Sequence, residues 1–239
     1  MKKDMKSYSQ NNEIDYIEKV FYKNGNLKLE VSYKNDLPNG IAKLYHQNGQ
    51  LHSKAQFVNG KQEGFLKSYF ESGKLELESF WKNGKLHGIY KSYYENGTIK
   101  YFYLYKNGKL IDSEKCFYEN GNLKFEIEIQ KGKRNGNFYD YYDNATLKAK
   151  GKYKDDEFHG IYLKYDKKGN IIKKINYKNG KANGKVYLYY QNGQTKKEFY
   201  VKNSLKQGKE IQYYLNGKIK KISQYKNGKI LKYNQSSFS

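Results

Sequence analysis

The chain repeats itself every 24 residues, without insertion, over most of its 239 residues. The stretch "WKNGKLHGIYKSYYENG" from Trp81 to Gly97 has close relatives in "FYKNGNLK" at Phe21, "YKNGKANG" at Tyr177 and "QYKNGKI" at Gln224. Nine units begin at Tyr16, Gly40, Gly64, Gly88, Asp112, Gly136, Gly160, Gly184 and Gly208 and run to Leu231. Residues 1–15 form an N-terminal extension and residues 232–239 a C-terminal tail. A fixed period of this length marks an array in which each unit packs mainly on its neighbours.

Within a unit the period is two. In "GIYKSYYENGTIKYFYLYKNGKLI", Gly88 to Ile111, two alternating runs end in Asn96-Gly97 and Asn107-Gly108. Asn-Gly between alternating runs signals a hairpin, because a type I′ turn needs two residues at positive φ. Both turns are therefore expected to be type I′, and each unit reads strand, turn, strand, turn. Counting from the opening residue, position 6 is aromatic in all nine units and position 12 is Leu or Ile in eight. On the second strand the even positions are expected to face the packed side and positions 13, 15 and 17 to face water. The expected fold is all-β: an elongated, single-layer, solenoid-like antiparallel β-meander of nine β-hairpin repeats. Eighteen strands at about 4.8 Å spacing make a sheet about 85 Å long.

The opening glycine (Gly40, Gly64, Gly88, Gly160), the tyrosine five residues on, the "ENG" or "QNG" turn and the closing "YKNGK" resemble the MORN repeat, in the bacterial variant of YwqK-type antitoxin proteins. The resemblance spans Tyr16 to Leu231. It implies an elongated antiparallel sheet without catalytic activity. It also implies binding: to acidic phospholipids or proteins, as in eukaryotic relatives, or to a toxin, as in bacterial ones. The sixth unit departs from the pattern, with Asn144-Ala145 and Asp155-Asp156 at its turns. A bend or loosened hairpin is expected there, because alanine resists positive φ.

No composition argument points to an enzyme. The histidines His46, His52, His87 and His159 are too scattered for a metal site, and Cys116 reads as a strand residue rather than a nucleophile. Catalytic residues, cofactors and metals are all expected to be none. Neither an apolar segment after the first lysines nor a run of about 20 apolar residues occurs, so a monomeric, cytoplasmic protein is expected.

Charge carries the one functional signal. The net charge is +22, from 45 Lys and a single arginine, Arg134, against 24 acidic residues. Residues 121–239 hold 27 basic and 10 acidic residues, net +17, so the positive field is concentrated in the second half. Lys173, Lys174, Lys196, Lys197, Lys220 and Lys221 are the candidate anionic-partner surface. The expected partner is an acidic protein of the toxin kind; anionic lipid is the alternative. Nucleic acid ranks last, since base reading favours arginine forks.

Overall fold

The computed structural model describes residues 3–10 and 13–235, and every regular element among them is a strand. The chain divides into two units, Met1–Gly121 and Asn122–Ser239. In each, successive strands pair antiparallel with their neighbours in sequence, giving an open meander of hairpins. In the extension, Lys3–Gln10 forms a further strand paired with Glu13–Phe21, which the sequence reading did not anticipate.

The two turns of a repeat differ, which corrects the expectation of type I′ at both. At the short turn both residues have positive φ, as in Asn107 (52°) and Gly108 (76°), and the turn is type I′. At the long turn only the glycine does, as in Gly97 (88°). There the Gly97 N–H donates to the Tyr94 carbonyl at 2.9 Å and the Tyr94 N–H to the Thr98 carbonyl at 2.8 Å. This is a type I turn followed by a left-handed residue, the three-residue hairpin connection. Asn96 stays at negative φ because its Oδ1 is engaged locally, accepting from the Thr98 N–H at 2.9 Å.

The sixth unit keeps both turns, against the expected irregularity. Ala145 takes φ 64° and its N–H donates to the Tyr142 carbonyl at 3.0 Å. Asn144 Oδ1 accepts from the Thr146 N–H and hydroxyl, fixing the turn without glycine. Asp155 and Asp156 also sit at positive φ. Their charges are absorbed by Lys133, 3.5 Å from Asp155, and by the Arg134 N–H, which donates to Asp156 Oδ1 at 2.8 Å.

The opening glycine is not a turn residue. It sits where the pairing slips between one unit's second strand and the next unit's first, as at Ile127/Ile129 opposite Phe138 and Arg134. Gly136 there has φ 129°, and a Cβ would lie 2.0 Å from Glu128 Oε2 and 2.8 Å from Glu128 Cβ. Asp112 substitutes elsewhere by adopting φ 72° itself, a conformation that Asp tolerates better than most residues.

A second slip, next to the long turn, decides which face the lysines take. Position 6 pairs with position 12 and position 5 with position 14, leaving position 13 unpaired, as at Tyr141↔Leu147 and Asp140↔Ala149. Such a bulge turns position 13 to the same face as position 14. Two contacts show it: Lys148 bonds Asp140 at 2.9 Å, and the Ser68 hydroxyl donates to Glu76 Oε2 at 3.1 Å. Position 13 therefore shares the face of position 14 and not that of positions 15 and 17, as alternation had implied, although Lys124, Lys196 and Lys220 stay exposed on it.

The inner face of each unit carries positions 3 and 5 of the first strand and 13, 14, 16 and 18 of the second. Position 16 is its most covered column, with Val31, Ala55, Ser79, Ile127, Ile175 and Ser223 all buried. Aromatic rings close over it in the second unit: Tyr153 and Phe158 stack at 4.3 Å, with Phe138, Tyr162 and Tyr177 at their edges. Ile175, Val186 and Val201 form the cluster beside them.

Side chains also tie each repeat to the next along the long-turn margin. The hydroxyls of Tyr22, Tyr94, Tyr142 and Tyr190, all at position 7, donate to the carbonyls of Tyr45, Phe117, Tyr165 and Tyr213 at 2.6 to 2.9 Å. His46 holds the same place, its Nε2 2.9 Å from the Tyr69 carbonyl. Along the short-turn margin a main-chain bond recurs, as in Gly84 N–H to Gln62 O at 2.9 Å and Ser204 N–H to Ala182 O at 2.8 Å, with side-chain bonds beside it such as Asn83 N–H to Glu63 Oε2 at 2.7 Å.

Candidate anionic-partner surface

Five of the six sequence-predicted lysines share the inner face of the second unit. Lys173, Lys197 and Lys221 lie at position 14 and recur on every other strand, in the cross-strand row Lys164, Lys173, Leu188, Lys197, Gln212, Lys221. Strands spaced about 4.8 Å apart put these lysines about 10 Å from one another. The bulge brings Lys196 and Lys220 to the same face beside Lys197 and Lys221. Each sits over a tyrosine, Tyr190 and Tyr214, at 5.5 Å from the ring centroid, in the range of a cation–π contact. Lys174, at position 15, points to the opposite face, where it pairs with Leu163 and Tyr187.

Three further residues complete the face, and sequence reasoning missed them. Lys164 is the direct cross-strand partner of Lys173. Like charges so placed destabilise a sheet. Lys206 lies between the rings of Phe199 and Tyr225, at 4.7 and 4.6 Å from their centroids. Glu210, only 2% exposed, bonds Lys197 at 3.1 Å, Lys206, and Gln212 Nε2 at 3.1 Å. Burial pushes the Glu210 carboxyl upward, but hydrogen bonds from Lys206, Lys197 and Gln212 outweigh it and hold the pKa below the ordinary value. The available signal was register: the opposition of Lys164 and Lys173 follows once the two strands are aligned from the short turn.

The opposite face is anchored differently. The Tyr213 hydroxyl donates to Glu198 at 2.8 Å, and burial followed by this carboxylate pushes its pKa up to about 12.

The other candidate residues are placed as follows. The His46 and His52 rings meet at a tilt of 59° with centroids 4.5 Å apart, and Cys116 is 3% exposed within a strand. Among the described residues no three His, Cys, Asp or Glu side chains come together as a metal site would need. No helix there is long and apolar enough to cross a membrane.

This repeat geometry is that of a known class of binding repeat. The model of the MORN repeat variant matches residues 15–35, 38–59, 62–83, 86–107, 113–131, 158–179, 182–203 and 206–227, and the chain belongs to this family. The family is in general a non-enzymatic binding repeat. The matches pass over the sixth unit, whose turns keep the backbone of the family but not its residues.

No curated protein matches the chain. Among solved structures, the TcdB2-TccC3-Cdc42 crystal structure aligns at 13% identity and TM-score 0.22, over 90% of this chain and 14% of that one. The Photorhabdus luminescens Tc holotoxin pore aligns at 14% and 0.21, over 90% and 13%. This chain thus spans about a seventh of those toxin chains. A porin-like protein from Bacteroides uniformis aligns at 8% and 0.21, over 97% and 96%. TM-scores at this level carry no argument.

Proposed function

We propose that this protein is a non-enzymatic scaffold of the antitoxin or immunity-like kind, acting in the cytoplasm, whose inner face in residues 122–239 holds an acidic protein partner. The observation that carries the reading is the opposition of Lys164 and Lys173 on a face shared with Lys196, Lys197, Lys220 and Lys221. A solvated face does not require like charges opposite each other, and an acidic partner relieves them. The partly buried rings of Phe199 and Tyr177 supply the apolar part of an interface.

A second reading, binding to anionic membrane, is favoured by the same lysines, each worth about 1 kcal/mol at such a surface. One experiment separates the two. Lys173, Lys196, Lys220 and Lys221 are changed together to Gln, sparing Lys197 because it bonds Glu210. Lys174→Gln serves as the opposite-face control. Parent and variants are used for capture from native lysate and for co-sedimentation with anionic vesicles. Loss of a captured protein in the quadruple variant alone supports the scaffold; loss of vesicle binding alone supports the membrane reading. Equal behaviour of parent and quadruple variant in both assays refutes both.

A further inference from the structure

The outer face of the first unit carries a row of alternating charge with one break. Read across the strands, the row is Lys19, Glu30, Lys43, Lys54, Lys67, Glu78, Lys91. Glu30 bonds Lys19 at 3.3 Å and Lys43 at 2.9 Å; Glu78 reaches Lys67 at 4.0 Å and Lys91 at 3.8 Å. Each glutamate thus bridges two lysines. Lys54 occupies the place between Lys43 and Lys67 where this alternation calls for a third carboxylate. It is exposed and faces two lysines directly.

Beside the break lies a notch of about 470 Å³, lined by Ile41, Lys54, Gln56, Phe65, Lys67 and Tyr69. Phe65 is 51% exposed although its ring meets Phe80 edge-on at 5.0 Å. Phe65 and Lys67 are two residues apart on one strand, so the apolar floor and the cations lie about 7 Å apart. Neighbouring side chains of one peptide span that distance.

We propose that this notch binds an acidic peptide segment, one carboxylate settling among Lys43, Lys54 and Lys67 and an adjacent apolar side chain resting on Ile41 and Phe65. The flanking Glu30 and Glu78 favour this occupant over an anionic membrane, because they admit one carboxylate and repel a plane of phosphates. The site belongs to a different unit from the lysine face described above, so either can fail while the other stands.

The probe is acetyl-Gly-Ser-Glu-Phe-Ser-Gly-amide, titrated into the uniformly ¹⁵N-labelled full chain, with the Gln-for-Glu peptide as control. Amide shifts are expected at residues 41, 54–56 and 64–69, with the Gln peptide binding at least tenfold more weakly. Lys54→Glu supplies the missing carboxylate from within. It should abolish the shifts and raise the thermal midpoint; Lys54→Gln, which only removes the repulsion, should weaken binding with a smaller rise. Shifts confined to residues 122–239, equal binding of the two peptides, or undiminished binding by Lys54→Glu each overturn the proposal. So does a Lys54→Glu variant that loses co-sedimentation with vesicles of 7:3 neutral to anionic lipid while keeping its peptide shifts.

Discussion

Glu210→Gln tests whether the buried carboxylate holds the last repeats together. The side chain is 2% exposed and accepts from Lys197, Lys206 and Gln212. Hydrogen bonds to a charged group contribute about 1.5–3 kcal/mol each. Glutamine keeps one acceptor oxygen but turns an amide towards an ammonium. Lys197 and Lys206 retain 26% and 32% side-chain exposure, so part of their hydration returns. The balance is a loss of about 2 kcal/mol at pH 7. Because the native pKa of Glu210 is depressed, its contribution is complete above the unfolded value of 4.5 and fades as pH falls through the native value. The difference between parent and variant, measured by urea denaturation with far-UV circular dichroism, should therefore shrink as the pH is lowered below 4.5. A double-mutant cycle with Lys206→Met should show coupling of at least about 0.5 kcal/mol. A deficit below about 0.5 kcal/mol at pH 7, or one unchanged in acid, would refute the argument.

Removing the position-7 hydroxyl in Tyr94→Phe should cost about 1 kcal/mol, and Phe70→Tyr, which adds a hydroxyl to this column, should recover a similar amount; equilibrium unfolding of the two variants measures both. Ala145→Gly should stabilise by up to about 1 kcal/mol, because Ala145 already holds φ 64°; a lower melting temperature contradicts this. Gly136→Ala should cost about 2–3 kcal/mol through its φ of 129° and the collision with Glu128, read as the largest loss of thermal midpoint among these single substitutions.

The repeat made the fold legible because its columns are chemically uniform where the backbone constrains them. Position 6 is always aromatic, and the short-turn Asn-Gly pairs take the predicted type I′ geometry. Alternation put position 16 on the packed side, but that it is the most buried column was not legible, because its residues vary (Val31, Ala55, Ser79, Ile127, Ile175) wherever a small or apolar side chain fits beneath the rings. The face of Lys196 and Lys220 was misread because strict alternation takes no account of a bulge. The sixth unit misled in the opposite sense. Ala145 departs from the pattern in sequence, yet Asn144 and Thr146 supply the fixing that glycine otherwise makes unnecessary.

The unequal stitching of the two margins has an evolutionary consequence. Short turns keep a main-chain bond to the preceding repeat whatever their residues, so Asp155-Asp156 and Asn203-Ser204 take the place of Asn-Gly with that connection intact and add side-chain bonds of their own. Long turns are joined through phenols and carboxamides, such as the Tyr94 hydroxyl and Asn96 Nδ2, which donates to the Glu119 carbonyl at 2.9 Å. One margin therefore tolerates drift and is the place where new loops or grafted epitopes enter at least cost. The other is a side-chain script, in which a change in one repeat is felt by the next.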